Sequence, residues 1–154
     1  MIKNISLVIP CYNEEGNIDK LVERCNQFLL LDNAELILVN NGSTDNTKDK
    51  IKNYTKLNNK IKLINIEKNI GFGDGVFKGL NSANNNFLAY THADLQTDPN
   101  DVLAGFNLIR TEEDFIKRIR INKLKNEWSY FDIFISFSMT VFTSIIFRSF
   151  MNDI

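Results

Sequence analysis

The stretch that decides the fold runs from Phe87 to Pro99, FLAYTHADLQTDP. Its first four residues, Phe87-Leu88-Ala89-Tyr90, form an apolar run of strand length. A polar cluster, His92-Ala93-Asp94-Leu95-Gln96, ends that run. Asp98-Pro99 then has the pattern of an N-cap and first helical residue. Three potential metal ligands, His92, Asp94 and Gln96, therefore occupy alternate positions just past a strand end. In extended backbone, alternate side chains project to one side. The spacing predicts a chelating edge at the mouth of a sheet.

Working outward, strand and helix patterns alternate. Ile5 to Ile9 is a short apolar run stopped by Pro10. Ile18, Leu21, Val22, Cys25, Phe28 and Leu29 recur at helical spacing. Leu36 to Val39 reads as a second strand, stopped by Asn40-Asn41-Gly42-Ser43, and Ser43 or Thr44 can cap a helix reaching about Leu57. Residues 61–66 form a third strand. After the glycine-rich stretch 69–75, Val76, Phe77, Leu80 and Ala83 mark a helix. Val102, Leu103, Phe106 and Ile109 mark another, and residues 115–121 read as a fifth strand. Repeated β-α units predict an α/β fold: a mostly parallel, Rossmann-like sheet with helices on both faces.

The chain has 154 residues, 44% of them hydrophobic, which supplies one globular core. A net charge of -1 gives no electrostatic footprint for nucleic acid. Two cysteines, Cys11 and Cys25, make neither a metal cluster nor a disulfide framework and read as reduced thiols. Met1 leads almost directly into a strand, with no signal-peptide pattern, so the sequence points to the cytoplasm.

Three strand ends carry candidate chemistry. The first strand runs into Pro10-Cys11-Tyr12-Asn13-Glu14-Glu15, at the carboxyl edge where open parallel sheets bind ligands. Taken alone, this loop is also a plain helix start, with Asn13 capping and two glutamates favouring the dipole. The second strand runs into Val39-Asn40-Asn41-Gly42-Ser43-Thr44-Asp45, equally an Asn-Gly turn. Residues 69–79, NIGFGDGVFKG, invite a dinucleotide reading. The spacing refuses it: G-x-G-x-x-G would need glycine where Val76 or Lys78 sits.

Together, these motifs resemble those of family 2 glycosyltransferases, nearest the polyprenyl-phosphate branch typified by dolichol-phosphate mannose synthases. That branch reads P-x-Y-N-E, D-D-G-S-x-D, N-x-G-x-G and D-A-D-L-Q-x-D-P at the matching places. The resemblance implies a GT-A fold and transfer of a sugar from a nucleotide-diphospho-sugar to an acceptor, a polyprenyl phosphate or cell-surface glycan precursor. It implies that Pro10, Tyr12, Glu14, Val39, Asn41, Ala93 and Asp94 line the nucleotide. It also implies that His92, Asp94 and Gln96 surround a divalent cation, Mn²⁺ or Mg²⁺, on the diphosphate. Here the chain departs from the pattern. Asn40 and Asn41 replace two aspartates, and His92 replaces the first Asp of the metal segment. Imidazole suits Mn²⁺ better than Mg²⁺. His92 can thus ligate Mn²⁺, hydrogen-bond a phosphate, or weaken the site, and the residues alone leave these open.

Residues 117–125, KRIRINKLK, hold five basic and no acidic side chains. By the same resemblance Arg120 matches an arginine that holds phosphate, and with Asp94 it makes the expected catalytic pair. A guanidinium suits that role. From 133 to 147 there are 15 uncharged residues, diluted by serine and threonine, fewer than the roughly 20 a spanning helix needs. An apolar helix over 128–151, buried or lying on a membrane surface, is the expectation. Residues 1–125 then form the nucleotide-sugar domain, and 126–154 an acceptor-side element at the cytoplasmic membrane face. Related catalytic domains continue well past this point, so the resemblance implies a C-terminally shortened chain. Two rivals remain: a non-catalytic nucleotide-sugar-binding or scaffold protein, and a dinucleotide oxidoreductase.

Overall fold

The computed structural model describes residues 4–111, 114–117, 138 and 141. The chain divides into two compact units, Met1–Asp114 and Phe115–Ile154. In the second, Ser138 and Val141 are helical. The rest of the expected apolar helix, the boundary at 125/126, and Arg118 and Arg120 lie outside the described residues. Residues 114–117 carry no regular structure, so the described part of the expected fifth strand is not a strand.

The first unit is an α/β layer structure. Its elements run β1 (Ile5–Cys11), α1 (Ile18–Arg24), α2 (Asn26–Leu29), β2 (Ala34–Asn41), α3 (Thr47–Leu57), β3 (Ile61–Ile66), α4 (Phe72–Asn81), β4 (Phe87–Tyr90) and α5 (Asp101–Leu108). The sheet order is β3-β2-β1-β4, and every pairing is parallel. Every residue of β1 and β2 is buried, as expected for central strands covered on both faces. The polar strand ends belong to the ladder too: Cys11 pairs with Asn40, and Asn41 with Ile66.

Strand alternation sorts the apolar side chains into two cores. Leu7, Ile9, Leu36 and Leu38 pack with Ile18, Leu21, Phe28, Ile51 and Phe106, so α1, α2, α3 and α5 cover one face. Val8, Ile37, Val39 and Ile66 pack with Leu80 and Ala83, so α4 covers the other. The helix expected from Ile18 through Leu29 breaks at Cys25, which ends α1 and starts α2. Both cysteines are free and buried, and burial pushes the Cys11 thiol well above the usual range and that of Cys25 up to about 12, which disfavours the reactive thiolate.

α4 comes unusually close to the sheet. Its buried stripe is Gly75, Val76 and Gly79. At the opposite end of β2, Glu35 is buried on the same face. It accepts hydrogen bonds from Ser6 Oγ (2.6 Å), Asn84 N (3.0 Å) and Asn84 Nδ2 (3.1 Å) and pairs with Lys62. Burial pulls its carboxyl up, but the Lys62, Ser6 and Asn84 bonds outweigh this and hold it below the usual range.

Candidate functional site

The chain steps outward from β1 to β2 and β3, then returns to place β4 on β1's other side. That reversal makes the carboxyl ends of β1 and β4 the topological switch point, the place where doubly wound sheets take ligands. The loops after β1 and β4 flank it.

The β1 loop is held open by its neighbour. Tyr12 is 48% exposed, and Asn13 has φ 55°, a left-handed conformation that asparagine tolerates. Asn13 N donates to Ser43 Oγ (3.1 Å), and Thr44 N donates to Asn13 Oδ1 (2.8 Å). Glu14 N donates to Thr47 Oγ1 (2.8 Å), and Glu15 N to Asp45 Oδ2 (3.1 Å). Asn46 Nδ2 returns a bond to Glu15 Oε1 (3.0 Å). Asn13 therefore does not cap α1, nor does Ser43 or Thr44 cap α3. Those polar side chains lace two loops together, and α3 starts at Thr47. Burial raises the Asp45 carboxyl, but bonds from Thr47 and Glu15 more than offset it, so the group sits below its ordinary value. Glu14 Oε2 accepts from Asn17 Nδ2 at 2.6 Å.

The β2 end is buried. Val39 is fully enclosed under α4, and Asn40 and Asn41 are each 3% exposed. Asn40 Nδ2 donates to Asn65 Oδ1 (2.8 Å), and Asn41 Nδ2 to the Gly71 carbonyl (3.1 Å). An aspartate could make neither bond, so the amides at these two places serve the fold. Both Oδ1 atoms lack a protein partner. Gly75 gives Asn41 and Pro10 room against α4: a Cβ there would lie 3.0 Å from Asn41 Nδ2 and 3.2 Å from Pro10 Cβ. Gly71 has φ 126°, which a side chain would strain.

The β4 end carries the metal segment. Thr91 N donates to the Val8 carbonyl (3.1 Å), so pairing continues one residue beyond Tyr90. His92 and Asp94 are exposed and flank buried Ala93, as alternation requires. The His92 imidazole lies on the Phe72 ring, centroids 4.5 Å apart and planes 11° apart. Phe72 follows the glycine loop that Asn41 holds, and its ring is also 6.4 Å from that of Tyr90. Leu95 has φ 62°, which ends the extended run before Gln96. Asp94 Oδ1 accepts Gln96 N (3.0 Å). Asp98-Pro99 forms a turn, with Asp98 Oδ1 accepting Asn100 N (2.9 Å), and α5 begins only at Asp101.

Among the described residues no three His, Cys, Asp or Glu side chains form a metal-binding group. The donor set at this edge is one carboxylate, one amide and an imidazole already stacked on a ring. That fits a cation arriving with a diphosphate, which needs one or two carboxylates plus phosphate oxygens, and not a cation caged by protein alone. Sequence patterns did not single out Phe72 or Arg24. The signal available for Phe72 was a bulky aromatic inside a glycine loop.

Comparison with known proteins bears on the fold and the family. An undecaprenyl-phosphate 4-deoxy-4-formamido-L-arabinose transferase of Proteus mirabilis is 30% identical over 135 residues, covering 84% of this chain and 40% of the relative. A dodecaprenyl-phosphate galacturonate synthase of Rhizobium johnstonii is 32% identical over 123 residues, covering 77% and 36%. The chain thus spans well under half the length of these relatives. In fold it is similar to the mannosyltransferase PcManGT from Pyrobaculum calidifontis in complex with GDP-Man and Mn²⁺. There the TM-score is 0.53 and identity 21%, over 59% of this chain and 27% of that one. The model of the family described as glycosyl transferase family 2 matches residues 6–152, and the chain belongs to that family.

Proposed function

We propose that this chain forms the donor-binding part of a glycosyltransferase that moves a sugar from a nucleotide-diphospho-sugar to a polyprenyl phosphate. The observation that carries the reading is the reversal of strand order between β1 and β4, which brings the Tyr12–Glu14 loop and the His92–Gln96 segment to one edge of the sheet. The names of the polyprenyl-phosphate relatives support the acceptor class. Tyr12 and Glu14 line the nucleotide in this reading, above a buried floor of Pro10, Val39, Asn41 and Ala93. Asp94 and Gln96, with His92 as a nitrogen donor that suits Mn²⁺ over Mg²⁺, would hold a divalent cation. Such a cation supplies charge neutralisation on the departing diphosphate. A phosphate-monoester oxygen is already anionic, so attack on the anomeric carbon needs no dedicated general base. Arg120 steadies phosphate. The basic and apolar residues after 117 meet lipid at the cytoplasmic membrane face. Among the described residues no helix is long and apolar enough to cross a membrane.

Calorimetric titration with uridine and guanosine diphosphates, with and without Mn²⁺, tests the donor site. Binding should tighten with Mn²⁺ in the wild type and lose that gain in Asp94→Ala. Equal metal dependence in the two proteins would remove Asp94 from the site. Labelled nucleotide sugars offered with polyprenyl phosphate then separate transfer from binding alone.

A further inference from the structure

The segment carrying Asp94 contains the one described leucine in a left-handed conformation, Leu95 at φ 62°. A branched side chain pays for that geometry, so it persists only where the surroundings fix it. Those surroundings converge on Arg24, the last residue of α1. Its Nη1 donates to the Leu95 carbonyl at 2.9 Å. Its own carbonyl accepts Asn100 Nδ2 at 2.7 Å, and that same amide nitrogen lies 3.1 Å from Asp98 Oδ1. One residue of α1 therefore grips the loop on both sides, at Leu95 and at Asn100. The Leu95 side chain closes the third side by packing on the buried core. Among the described residues the Arg24 guanidinium forms no ion pair. Its described use is on a backbone oxygen 71 positions away in sequence.

We propose that Arg24 is a positioning residue for the Asp94 segment: by clasping Leu95 it fixes the backbone that presents Asp94 to a cation-bound diphosphate. The inference rests on the reading of Asp94 given above. Arg24 touches neither donor nor cation; it acts through Leu95. A guanidinium is suited to this, since its planar fork loses little freedom when it binds a carbonyl. Without the bond, the left-handed turn relaxes toward commoner geometries and Asp94 with it.

The test uses the 154-residue chain as wild type, Arg24→Ala, Arg24→Lys and Asp94→Ala, titrated with uridine diphosphate (or guanosine diphosphate, whichever the wild type binds), with and without Mn²⁺. The readout is the ratio of the two affinities, which a uniform loss of stability does not move. Urea midpoints confirm that each variant is folded. Arg24→Ala is expected to shrink the Mn²⁺ gain about three- to tenfold, the worth of one hydrogen bond. Metal-free affinity should be unchanged, and Arg24→Lys should recover most of the gain. If Arg24→Ala keeps the wild-type ratio while Asp94→Ala loses it, the positioning role falls and the donor-site reading stands. A lysine variant no better than alanine overturns the role as well. If wild type and Asp94→Ala share one ratio, both fall.

Discussion

Gly79 sets how closely α4 lies on the sheet, and Gly79→Ala measures that closeness. A Cβ at position 79 would overlap Val8 Cγ1 and come within 2.9 Å of Val39 Cγ2. Both valines are fully buried on central strands, and β-branched side chains have few alternative rotamers there. Overpacking of this kind costs about 1–3 kcal/mol, and the depth of the overlap places it near the top of that range. Replacing glycine within a helix returns about 1 kcal/mol of propensity. The net is a loss of about 2 kcal/mol. With an m-value of about 1–3 kcal/mol/M, the urea midpoint followed by far-UV circular dichroism should fall by roughly 1 M. Val8→Ala alone costs about 2 kcal/mol by lost burial and a cavity. The double variant should cost about the same as either single change, because the new methyl fills the space the valine leaves. A midpoint that rises in Gly79→Ala would refute the reasoning, as would a double variant equal to the sum of the singles.

Two further outcomes follow from the buried polar groups. The Glu35 carboxyl sits below its ordinary value in the folded chain, so its contribution is fully present above the unfolded value of about 4.3 and is lost as pH falls through the folded one. Thermal melts from pH 6 down to pH 3 should therefore show a shallower acid decline in Glu35→Gln than in wild type, and parallel curves would count against the network. Asn41→Asp turns a donor into a carboxylate facing the Gly71 carbonyl at a 3% exposed position. It should cost about 1–3 kcal/mol in urea, more than Asn41→Ala, and an aspartate as stable as wild type would show that the latch carries no weight.

The strands were legible because central parallel strands are apolar along most of their length: Ile5–Ile9, Ser6 apart, and Leu36–Val39 announce themselves. Their polar ends were not. Asn40 and Asn41 look like a turn, yet both are paired in the ladder. The break at Cys25 was hidden because α1 and α2 bury the same side of the sheet, so the apolar spacing runs straight through it. The strand ends of the candidate site were readable as loop motifs after apolar runs. Its support was not, because each contact joins positions far apart in sequence: Phe72 with His92, Asn13 with Ser43 and Thr44, Arg24 with Leu95. A local pattern carries no record of such partners. Glu35 illustrates the same point, since a lone charge inside an apolar strand is burdensome until Ser6, Lys62 and Asn84 arrive from three other segments.

The place of β1 between β2 and β4 also fixes an order of events in time. Ile5 meets Ala34 across about 29 residues of chain but Phe87 across about 82, and closing the longer loop costs about 0.9 kcal/mol more. β1 therefore joins β2 first. On a ribosome adding about 5–20 residues per second, roughly 3–10 s then pass before β4 has been made. Through that interval the apolar strand ISLVI keeps one bare edge, a template for pairing with any other nascent chain until residues 87–90 close it.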